Sequence, residues 1–134
     1  MRGTVLGVTV LGLLLAGCTS SDSPRFEVGD LAAGTCSQVG EPLLEVERTQ
    51  SELAAGALDA PAAAADYEQL QADLLAARET ADQPVADALR TLVTSMGFFR
   101  VGAAAGTSSE IQQEQLRGSL DAVLVACGVE PDEG

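Results

Sequence analysis

The side chains best suited to chemistry in this sequence are three cysteines, Cys18, Cys36 and Cys127, among twenty acidic residues and seven arginines, with no lysine and no histidine. Without histidine or lysine the usual general bases and amine nucleophiles are missing, so catalysis would rest on carboxylates or serines alone. Ser37, Ser51, Ser95, Ser108, Ser109 and Ser119 lack a nucleophile-elbow or Ser-x-x-Lys context. The acid pairs Glu45/Glu47 and Asp66/Glu68 stand two apart, a spacing that points side chains to different helix faces and leaves them on the solvated surface. The tail Glu130-Pro131-Asp132-Glu133 has no calcium-loop pattern. Distant cysteines without histidine do not supply a tetrahedral metal site. These features predict a protein that is not an enzyme and has no cofactor or metal.

The N-terminal stretch carries a stronger signal. Arg2 gives a positive start, Thr4 to Gly17 runs apolar without a charge, and Leu15-Ala16-Gly17-Cys18 ends on small residues and a thiol. That order has the form of an export signal. The apolar run of 14 residues spans about 21 Å as a helix at ~1.5 Å per residue, short of the ~30 Å hydrocarbon core. A permanent transmembrane helix is not expected.

Leu15-Ala16-Gly17-Cys18 resembles the lipobox of bacterial lipoproteins, in which a branched apolar residue precedes two small residues and the modified cysteine. The resemblance covers the signal alone. It implies diacylglyceryl transfer to the Cys18 thiol, cleavage before Cys18 and often acylation of the new amine. Two acyl chains make a durable anchor, because a single chain binds a membrane only marginally. The expected location is the extracytoplasmic face of the cell membrane. Thr19 to Pro24 is small and polar, as suits a flexible tether. With Cys18 committed to lipid, Cys36 and Cys127 are left to pair as a disulfide in an oxidising compartment.

Composition bounds the body that such an anchor carries. Hydrophobic residues make up 46% of the 134, but only 3% are aromatic and none is tryptophan. A core of Ala, Leu and Val favours close-packed helices over a sandwich, and the length allows one domain. The net charge of −13 becomes −14 once Arg2 leaves with the signal. Such a field opposes nucleic acid phosphates and anionic headgroups, so nucleic acid is not an expected partner and membrane adhesion falls to the lipid. The absence of lysine beside abundant Ala, Arg, Gly and Asp resembles the composition of actinobacterial proteins.

From Cys36 onward apolar residues recur at spacings of three and four, which predicts helices. The first stripe is Leu43, Val46, Gln50, Leu53 and Ala57, with Pro42 in its first turn. The second follows Asp59 as N-cap and carries Ala63, Tyr67, Leu70, Leu74 and Ala77. The third, after Asp82 and Pro84, carries Val85, Leu89, Leu92, Met96, Phe99 and Ala103 and ends near Gly106. The fourth is expected to open with a capping box of Thr107 and Glu110, to carry Ile111, Leu116, Leu120, Val123, Leu124 and Cys127, and to end at Gly128.

Four helices with short connections predict an all-α, up-down-up-down bundle. That topology puts Cys36 and Cys127 at the same end, where one disulfide would close the bundle. Prolines and glycines break the segments too often for a coiled-coil oligomer. The expected organisation is a lipoprotein signal peptide at 1–17, the lipidated cysteine and lead-in at 18–35, the bundle at 36–128 and an acidic tail at 129–134.

Helical spacing places Arg48 near Glu45 and Glu52, Arg90 near Asp87, and Arg117 near Glu114 and Asp121, all structural pairings. Arg100 has no acid at those offsets and follows Phe98-Phe99, so Phe98 and Arg100 form a candidate partner contact. The plainer alternative packs Phe98 under the Pro24 to Thr35 lead-in, with its Phe26, Val28 and Leu31, and sets Arg100 against the helix dipole. The expected function is a non-enzymatic interaction or scaffold module at the cell envelope, with an envelope protein of unknown identity as partner. The alternative is a carrier or sensor of an amphiphilic ligand, if the Ala- and Gly-rich helices part around a cavity; Gly97, Gly102 and Gly118 equally suit close helix packing.

Overall fold

A computed structural model describes residues 24–130; the expected signal at 1–17, Cys18 and residues 131–134 lie outside the described residues. The described residues are helical and contain no strand. A single 3-10 turn, Val28–Asp30, leads into α1 (Thr35–Gln38), α2 (Gly40–Ala54), α3 (Ala60–Arg78), α4 (Gln83–Ala104) and α5 (Glu110–Ala126). Five helices thus stand where four were expected, because the chain breaks at Val39 and leaves a one-turn α1 around Cys36.

Local chemistry sets the boundaries. Asp59 caps α3 by accepting from the Ala62 amide at 2.9 Å, with Pro61 in the first turn. The expected Thr107/Glu110 box at α5 is replaced by Ser109 and Gln112: Ser109 Oγ accepts from the Gln112 amide, and Gln112 Oε1 accepts from the Ser109 amide. Thr107 belongs to the preceding helix end, where its amide donates to Gly102 O at 2.7 Å. Gly106 and Gly128, both at positive φ, end α4 and α5 in Schellman turns whose outer bonds are Thr107 N to Gly102 O and Val129 N to Leu124 O.

The core joins Leu43 and Val46 of α2, Tyr67, Leu70 and Leu74 of α3, the whole expected stripe of α4, Leu116, Leu120, Val123 and Leu124 of α5, and Cys127 at its C-cap. Tyr67 and Phe99 meet edge to face with centroids 5.3 Å apart, the favourable aromatic geometry. Two expected core residues lie outside it: Ile111 is 69% exposed, being in the first turn of α5, and Ala57 falls beyond the end of α2. The lead-in is part of the body, since Phe26 and Leu31 are buried. Val28 and Leu31 cover the start of α2, and a Cβ at Gly40 would lie 2.7 Å from a Val28 methyl. The Ala32 amide then donates to Cys127 O at 2.9 Å.

Successive long helices pack side by side, and α2 also touches α5. Between α3 and α4, Tyr67 meets Phe99 and the Gln71 amide donates to Val93 O at 2.8 Å. Between α4 and α5, Ser95 meets Ser119, and Gly102 lies against Gln112.

Candidate functional site

Cys36 and Cys127 form a disulfide with their Cα atoms 5.5 Å apart, joining α1 to the last turn of α5 across 91 residues. Both cysteines are buried. The Ala32 to Cys127 hydrogen bond lies beside this bridge, so lead-in, α1 and α5 are secured at one place. Cys18, the expected lipidation site, lies outside the described residues.

A second fixed point was not visible in the sequence. Glu47, read as solvated, is only 7% exposed. It receives the Arg25 guanidinium and, through its other oxygen, the Arg25 backbone amide at 3.1 Å. Arg25 also pairs with Asp121 of α5 at 2.9 Å. Partial burial pulls the Arg25 pKa down, but bonding to Glu47 and Asp121 outweighs it, and the guanidinium holds its proton more firmly than in water. Glu47 is 22 residues from Arg25 in sequence and Asp121 lies farther still, in α5, so helical offsets could not reveal them. The sign of a role was only that Glu47 follows Val46 and lies one turn beyond Leu43 on the buried side of α2.

The expected arginine pairs divide. Arg48 pairs with Glu45 as the spacing predicts. Asp121, assigned to Arg117, turns to Arg25 instead. Arg100 finds its partners on a neighbouring helix: it donates to Gln71 Oε1 at 2.5 Å and lies 3.5 Å from Glu68. That exchange ties α3 to α4, with the Gln71 amide bonded in both directions.

Phe98 lies apart from Arg100. It is 62% exposed and lines an open groove of about 520 Å³ between α4 and α5, with Thr94, Ser95, Gly118, Ser119 and Ala122. Arg100 lines a separate groove between α3 and α4. The lead-in does not cover Phe98, because Phe26 and Leu31 enter the core instead.

Ser95 and Ser119 are brought within 2.6 Å. Ser119 donates to Gln115 O at 2.9 Å, so Ser95 donates to Ser119 and the pair ties two helices. Among the described residues there is no cluster of three His, Cys, Asp or Glu side chains able to hold a metal ion, and no helix is long and apolar enough to cross a membrane. A void of only about 10 Å³ lies between Gln50, Tyr67, Gln113 and Leu116. Burial, with Asp66 acting in the same direction, pushes the Tyr67 phenol well above its usual value. Comparison with known protein families, curated proteins and solved structures finds no match to this chain.

Proposed function

We propose that this chain is a lipid-anchored, non-enzymatic interaction or scaffold module held at the extracytoplasmic face of the cell membrane through Cys18. The observation that carries the reading is the Cys36–Cys127 disulfide. It commits two of the three cysteines and leaves Cys18 as the thiol that ends the Leu15-Ala16-Gly17-Cys18 lipobox. A buried disulfide also suits an oxidising compartment.

The four long helices run up-down-up-down in this reading. Supporting it are reciprocal contacts: Ser95 with Ser119 and Gly102 with Gln112 pair later residues of α4 with earlier ones of α5. Pro61 and Ala64 at the start of α3 share a groove with Ala103 and Ala104 at the end of α4. In support of an interaction module over a carrier with its ligand inside the bundle, the void beside Tyr67 holds at most about one water, far below the ~300 Å³ of a ligand pocket, and the larger spaces of about 470, 520 and 560 Å³ are grooves open to solvent.

Mass spectrometry of the N-terminus of the chain purified from native membranes tests the anchor. The expected first residue is Cys18 carrying diacylglycerol; an unmodified Cys18 or a different first residue overturns the reading.

A further inference from the structure

Phe98 is the one aromatic side chain among the described residues that faces solvent; Phe26, Tyr67 and Phe99 are buried. Across its groove lies Gly118, inside α5, where glycine weakens a helix. Gly97 lies against Gln71 and Gly102 against Gln112, so both suit close packing as the sequence suggests. Gly118 does not: a Cβ there would meet nothing within 4 Å. One groove therefore presents both a protruding ring and an unfilled hollow.

Acidic charge is absent from the α4 side of this groove. No Asp or Glu occurs from Ala88 to Ser109, in a chain of net charge −13. Arg90 lines the groove, and Glu114 stands one turn before Gly118.

We propose that the α4–α5 groove binds the same groove of a second copy of this chain, with Phe98 of each copy entering the hollow beside Gly118 of the other. A knob and a hollow on one surface meet the requirement of a two-fold contact, in which each residue's partner is reciprocated. An exposed aromatic that a partner's groove can bury is also the usual anchor of an interface. Two such acidic chains repel over most of their surface, and the acid-free stretch of α4 is where they approach at least cost. Arg90 and Glu114 supply opposite charges at the rim. A basic partner would instead be drawn to the carboxylates of α2 and α3. The proposal does not depend on Cys18 carrying lipid.

Sedimentation equilibrium of the full chain in density-matched detergent tests it, using wild type, Phe98→Glu, Gly118→Glu and, on α3, Leu75→Glu as control. Phe98 and Gly118 are exposed, and glutamate is a better helix former than glycine, so the variants keep the fold. Wild type and control are expected to dimerise reversibly at concentrations on the order of micromolar, and each groove variant to weaken the dimer by roughly tenfold or more. A wild type that stays monomeric, or a dimer that survives both groove substitutions, overturns the proposal.

Discussion

Gly102 of α4 makes room for Gln112 of α5: a Cβ at position 102 would lie 2.6 Å from Gln112 Oε1, the atom that accepts from the Ser109 amide. The end of one helix thereby shapes the start of the next. Gly102→Ala gains the ~1 kcal/mol of helix propensity that alanine offers over glycine, but displaces Gln112 and loses about as much in capping. Gly118→Ala has no such opposition and is expected to stabilise by about 0.5–1 kcal/mol. Urea unfolding of the two variants at low protein concentration checks this; equal gains would show that the Gln112 contact carries no energy.

The disulfide closes a long loop and limits the unfolded chain. On the chain-entropy account a loop of this size contributes roughly 4–5 kcal/mol. Cys36→Ser with Cys127→Ser is expected to lower the melting temperature markedly. Reductant should then have no further effect on the variant while destabilising wild type.

Glu47 and Glu45 provide a matched comparison of buried and exposed ion pairs on one helix. Glu47→Ala leaves Arg25 partly buried without its main acceptor, with an expected loss of about 1–3 kcal/mol. Glu45→Ala breaks only the exposed pair with Arg48 and is expected to cost about 0.5 kcal/mol or less. Thermal melts compare the two, and added salt should reduce the smaller effect first.

Tyr67 is the sole tyrosine, so phenolate absorbance reports on it alone. Burial raises its folded-state pKa above the ordinary 10.0, so the unfolded chain ionises first. The contribution is fully present below about pH 10 and is lost as pH rises toward the folded pKa. Wild type is therefore expected to lose stability above about pH 10, and Tyr67→Phe to lose less. Because the Tyr67 hydroxyl finds no partner among the described residues, Tyr67→Phe at neutral pH is expected to be neutral or slightly stabilising. A marked loss at neutral pH, by calorimetry, would contradict this.

The α4 stripe was fully legible because six apolar residues repeat at helical spacing and all six are buried. The Asp59 cap and the Gly128 end were legible for a similar reason: each depends on chemistry within one turn. What escaped was non-local. Arg25 reaches residues in α2 and α5, and Arg100 reaches α3, contacts that no offset of three or four records. Even within one turn, three polar residues at 107–109 offered competing caps for α5; Thr107 is taken up by the end of α4, and Ser109 pairs reciprocally with Gln112. The sequence leaves Phe98 open between a partner contact and packing under the lead-in; its exposure and the groove it lines required the placement of the lead-in and α5.

The Arg25 contacts and the Cys36–Cys127 bridge also determine how the body bears tension. A pull arriving from the N-terminal side first loads Arg25 against α2 and α5, and can peel the lead-in only as far as Cys36. There the chain is covalently tied to Cys127. Everything from α2 to α5 is carried as a closed ring, whose two ends the bridge keeps from separating.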